Sequence, residues 1–185
     1  MTRRSTLTRS LHDLGLAGWF GSVLLTAVSA NRAVGDARDP DDVARVTNGL
    51  WRRWRPANAA LVAMHLVGGF GVLLSNRGRL AHQRGVGTAT IAKTAVTLAA
   101  AGTSVYAAVL GERIDDAGTV PMQDATTPTG ATPDDVAGAM RQLAALQWAI
   151  PALTGVVIVL GALQGEQQRP MSVVAGTLDR LNPTT

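Results

Sequence analysis

The chain contains no cysteine and only one lysine, Lys93. Without cysteine there is no disulfide framework, no thiolate nucleophile and no cysteine-ligated metal site. Aromatic residues are scarce, at 4% of the chain, with one tyrosine and two phenylalanines. That leaves no stacking platform interleaved with basic residues, so the net charge of +4 does not read as a nucleic-acid surface. No glycine-rich phosphate loop follows a strand, no residues have zinc-like spacing, and no nucleophile has a recognisable base beside it. The expectation is a non-enzymatic protein with no metal site and no predicted cofactor.

Charge is missing most conspicuously from four stretches. Leu14–Asn31 has no ionisable residue, and Pro56–Asn76 has only His65. Thr94–Gly111 carries no formal charge, and Gln142–Gly165 none. A bilayer core of about 30 Å takes roughly 20 helical residues, and all four gaps fit that length. Helices of this length in water would show a charged face, and these do not. The sequence therefore predicts an all-α bundle of four transmembrane helices, at about 10–31, 56–76, 88–111 and 142–165, in one integral membrane domain.

The connections are polar. "GDARDPDD" reads as a turn and a helix start, with Asp39 as cap and Pro40 in the first turn. The segment 40–54 has Val43, Val46, Leu50 and Trp54 on one side and arginines around it. This pattern predicts a short amphipathic helix lying in the membrane interface. Trp51, Trp54 and Trp148 are expected as interfacial anchors. Residues 112–132 are expected to form a polar, partly mobile extramembrane connection, and 166–185 a polar tail. "MTRRSTLTRS" before an apolar run has the form of a secretion signal, but the run is long and three more apolar segments follow, so a retained helix is expected.

Small residues mark the packing faces. Gly15, Gly18 and Gly21 recur every third residue in the first helix, and Gly68, Gly69 and Gly71 follow His65 in the second. Such strips allow close backbone approach, within the bundle or between copies of the chain. "PDDVA" occurs at 40–44 and again at 133–137, and "GSVLLTAVSANR" aligns without gaps to "GTSVYAAVLGER" from Gly102. Together these point to two parallel helical-hairpin repeats, in which Lys93 superposes on His12.

Four polar residues interrupt the apolar pattern: His12, Asp13, His65 and Lys93. Lys93 either snorkels to the interface or pairs across to the first helix, with Asp13 at similar depth, since an unpaired charge deep in a bilayer costs about 2.5 kcal/mol or more. His65 is read as hydrogen-bonded to a neighbouring helix. Counting from the ends of the apolar runs puts His12 near one surface and His65 near the middle, a mismatch of about 10 Å at 1.5 Å per residue. That disfavours a shared bis-histidine haem.

"SLHDLGLAGWFGSVLLTAV" resembles the first helix of uncharacterised four-helix membrane proteins of actinobacteria. His12 with Trp19 and Gly21 is similar to the His-x6-Trp-x-Gly start of copper-resistance protein D and related small membrane families, which would imply copper or haem association. Three functions remain open: an accessory or scaffold subunit or homo-oligomer in the lipid bilayer, a carrier using the four polar residues, or a haem- or quinone-associated redox protein. A bacterial plasma-membrane location is expected. Three N-terminal arginines and a short basic second loop favour cytoplasmic termini.

Overall fold

The computed structural model describes residues 3–37, 39–82 and 86–166. The expected tail beyond Glu166, the middle of the second loop and Arg38 lie outside the described residues.

Among the described residues there are four long helices, α1 (Arg3–Leu25), α3 (Pro40–His82), α4 (Val86–Asp116) and α5 (Asp134–Glu166), with a short α2 (Asn31–Ala33) between the first two. Each of the four long helices supplies a segment long and apolar enough to cross a membrane: Thr6–Asp36 (which continues past α1), Asp42–Ser75, Thr88–Asp116 and Asp134–Glu166. Their outer surfaces are apolar: Leu25, Val67, Phe70, Ile91, Leu98 and Val159 are all more than half exposed. In water such a surface would drive association; in hydrocarbon it is the ordinary exterior.

The chain runs up and down, and its most extensive packing is α1 with α3 and α4 with α5. The start of α1 and the end of α5 therefore lie at one end of the bundle, called here the terminal end. The opposite, capped end holds the α1–α3 turn and residues 117–133. Trp19 is fully buried at mid-bundle with Leu16, Val23, Ala100, Ile150 and Val157. Removing that indole from its surroundings contributes the largest single side-chain burial in the molecule.

Residues 40–54 do form a helix, but not a separate one in the interfacial plane. They are the start of α3, which spans 43 residues without interruption. At 1.5 Å per residue it is about 65 Å long, twice the hydrocarbon thickness. Pro56 lies inside it. Proline removes one N–H and crowds the carbonyl four residues back, yet here it does not end the helix. The apolar side of 40–54 meets protein at its start, while Val46 further along is 46% exposed. Val43 and Ala44 are buried against Leu110, Ile114, Val136 and Met140. The two "PDDVA" segments thus open α3 and α5 at the same end and pack into one cluster.

The connection after α4 is also more structured than its composition predicts. Gly118 takes a positive φ of 76° and donates to the Asp115 carbonyl at 3.0 Å, ending the helix. Val120, Met122 and Ala125 are buried. Asp124 accepts from the backbone N–H groups of Thr126 and Thr127 at 2.8 Å each. A polar sequence folds here because its acids and threonines close turns on their own backbone, while three apolar side chains seal the bundle.

Candidate functional site

The polar residues of α1 and α3 come together toward the terminal end. Gly15 and Gly68 face each other's helices at backbone distance. A Cβ on Gly15 would stand 2.5 Å from the His65 nitrogen and 2.8 Å from the Leu61 carbonyl oxygen. One on Gly68 would stand 2.7 Å from both the His12 Cα and the Thr8 carbonyl oxygen. Only glycine permits this approach. Gly18 receives the Leu61 side chain, Gly71 the Thr8 side chain, and Gly69 the His12 ring. Gly21 differs from the expectation: it has open space around it. The glycine strip that could have joined two copies of the chain is largely taken up within one.

Close approach lets each histidine reach the other helix's backbone. His12 Nδ1 is 3.0 Å from the His65 carbonyl oxygen, and His65 Nδ1 is 2.9 Å from the His12 carbonyl oxygen. A carbonyl only accepts, so each Nδ1 carries the proton and donates it. The rings stack with centroids 4.0 Å apart and planes inclined by 19°. The expected depth mismatch between the histidines is therefore incorrect. Antiparallel register is set where glycines let backbones touch, not where the apolar runs end. Rings stacked face to face at 4.0 Å cannot ligate one iron from opposite sides, because each nitrogen lone pair lies in its own ring plane and points past the other ring, with no space for an iron between them.

Lys93 completes the cluster from α4. Its Nζ lies 3.1 Å from His12 Nε2 and packs near Gly161 of α5, where a Cβ would stand 3.2 Å away. Since His12 Nδ1 holds a proton, the Nε2 of the neutral ring is an acceptor and the ammonium donates to it. Of the two first-helix residues expected within reach of Lys93, Asp13 and His12, the lysine bonds His12; Asp13 is exposed, forms no ion pair among the described residues and acts on Lys93 only through its charge at longer range. His65 is 1% exposed. Its Nε2 and the Trp19 Nε1 are buried without hydrogen-bond partners among the described residues, and the two rings are 6.0 Å apart.

The sequence carried a signal for this geometry that glycine spacing alone did not reveal. His12-x2-Gly15-x2-Gly18 recurs as His65-x2-Gly68-x2-Gly71. Two antiparallel copies of one pattern produce a reciprocal contact, each histidine lying over the other's first glycine.

A second polar region, missed from sequence, lies at the capped end. Arg55 donates to Asp115 at 2.8 Å and lies 3.3 Å from Glu112; Arg52 reaches the same Asp115 at 2.9 Å. The Arg55–Asp115 pair is largely shielded, while Arg52 is mostly exposed and adds little on its own. Trp51 and Trp54 are half-buried beside this pair, and Trp148 is 49% exposed on α5.

No group of three or more histidines and acids among the described residues could hold a metal ion. No family model matches the chain, and no curated protein and no solved structure matches it.

Proposed function

We propose that this chain is a non-enzymatic, multi-pass membrane protein that works as a rigid subunit, in a bacterial plasma membrane with its termini in the cytoplasm. The supporting observation is that three of the four polar residues that interrupt the apolar pattern bond across helices, with the His65 Nε2 left without a partner among the described residues. His12 and His65 each donate to the opposite helix, and Lys93 donates to His12. In a carrier, the ionisable residues of the membrane face a cavity or change partners. Here they join α1, α3 and α4, and the glycines beneath them leave no slack for rocking within the α1–α3 hairpin. The capped end, with its folded connection and paired arginines, is the face on which such a subunit would meet other molecules.

Spin-label distances test the reading. The chain has no cysteine, so label pairs can be introduced on a silent background. Leu74 with Leu163 reports the terminal end, and Val28 with Val109 the capped end; all four side chains are exposed. The expected result is one narrow distance for each pair in lipid nanodiscs, unchanged by the pH or salt concentration of the solution. Two populations that trade places between the two ends would identify a carrier instead.

A further inference from the structure

At the capped end a cavity of about 100 Å³ opens between α1, α3, α4 and α5. Its walls are mostly apolar, with a few polar groups directed inward, which is the ordinary composition of a small-molecule site. Asn31, Thr47, Asn58 and Ser104 line it. One polar atom of each is buried without a partner among the described residues: the Asn31 and Asn58 Oδ1 atoms and the Thr47 and Ser104 hydroxyls. Asn31 and Thr47 are each only 2% exposed. Leaving such an atom unpaired costs about 1–3 kcal/mol, so four around one cavity define a site whose chemistry a ligand completes.

The fold holds these groups in place. Residues Thr26–Ala30 of the first transmembrane segment are π-helical, a local widening that recurs at functional sites. The Ser22 and Thr26 hydroxyls bond the carbonyls three residues back, both at 2.9 Å, just before and within it. Asn31 is fixed by its amide nitrogen, which donates to Gln147 at 2.8 Å, and by its carbonyl, which accepts from Ala125 at 3.1 Å. Its amide oxygen is left for the cavity.

We propose that this cavity binds a small neutral polyol no larger than glycerol, since a cavity of about 150 Å³ is filled by benzene and this one is about 100 Å³. Amide oxygens need donors, whereas the threonine and serine hydroxyls can give or take, and a ligand hydroxyl meets both because it donates and accepts. Trp51 and Trp54 also line the cavity and offer flat apolar surface to the C–H face of such a ligand. A charged ligand is disfavoured because the charged side chains of the wall, Arg55 and Asp115, already neutralise each other at 2.8 Å. An unpaired charge enclosed there would be expensive. Asn48 and Asp115 also border a groove on the outer side, lined by Arg45, Arg52 and Arg53. The Arg55–Asp115 pair therefore stands between the water-facing groove and the inner cavity, which gives the ligand an aqueous entrance from the capped end.

Purified protein in nanodiscs is titrated with ethylene glycol, propane-1,2-diol and glycerol, with D-glycerate and sodium chloride in parallel, reading tryptophan fluorescence and melting temperature. At least one neutral polyol is expected to give a saturable response and raise the melting temperature, with neither from glycerate or sodium. Thr47→Val keeps the side-chain shape but removes a hydroxyl that has no protein partner. It is expected to weaken that polyol by about tenfold, one lost hydrogen bond, while the ligand-free melting temperature holds or rises. Ser104→Ala gives a second, independent reading should Thr47→Val not fold. Silence from all three polyols, an equal response to glycerate or sodium, or unaltered binding in the folded variants overturns the proposal.

Discussion

Gly68→Ala is expected to destabilise the bundle by about 3 kcal/mol, toward the upper end for overpacking a tight contact. The added methyl would collide with the His12 backbone and with the Thr8 carbonyl oxygen. Neither is the free end of a flexible side chain, so α1 and α3 must separate. Separation also breaks the two histidine–carbonyl hydrogen bonds. Interhelical hydrogen bonds in membranes average only about 0.6 kcal/mol each, so the backbone collision dominates. Gly15→Ala acts by the same route against the His65 nitrogen. Gly21→Ala and Gly102→Ala are the controls: both positions have open space, and alanine's better helix propensity should leave stability unchanged or up to about 1 kcal/mol higher. Chemical denaturation in detergent micelles measures all four. A Gly68→Ala variant as stable as Gly21→Ala would mean that α1 and α3 do not touch at this register.

His12→Leu is expected to have the next largest effect, because it strands Lys93. The ammonium loses its acceptor at 3.1 Å, and a charge without a partner inside a bilayer costs about 2.5 kcal/mol or more. Stacking against His65 and the bond to its carbonyl are lost as well. Lys93→Met in the same background removes the stranded charge, so the double variant is expected to be more stable than His12→Leu alone by about 1–2 kcal/mol. Asp13→Asn should change stability by less than about 0.5 kcal/mol, since Asp13 is exposed, forms no ion pair among the described residues and meets Lys93 only through its charge at longer range. Additive losses for His12→Leu and Lys93→Met would show that Lys93 reaches the interface on its own.

Much of the architecture was legible because the bilayer imposes a strict rule on composition. Four charge-free gaps placed four long helices, and the glycines at 15, 18, 68 and 71 marked the faces that meet. Depth was harder to read. The position of His65 relative to His12 was counted from Ser10 and Asn76, where hydropathy changes, but α1 begins at Arg3 and α3 continues to His82. A helix ends where its hydrogen bonding stops and packs where its backbone can approach, and hydropathy measures neither. Pro56 misled in a similar way: it looked like the boundary between an interfacial helix and a membrane helix, yet the helix runs through it. The capped-end cavity was invisible because Asn31, Thr47, Asn58 and Ser104 come from three helical segments far apart in sequence. Each alone reads as an ordinary polar residue near a helix end or within an apolar run.

The reciprocal histidine contact is the centre of this account, and nitrogen-15 spectroscopy of the histidine rings tests it most directly. In lipid at neutral pH, with His82→Gln to remove the third histidine, His12 and His65 should both give the shifts of a neutral ring protonated at Nδ1. Each should also couple across its hydrogen bond to a carbonyl carbon of the other helix. Rings protonated at Nε2, or averaging between tautomers, would contradict it, because a carbonyl 3.0 Å from a bare Nδ1 holds nothing together.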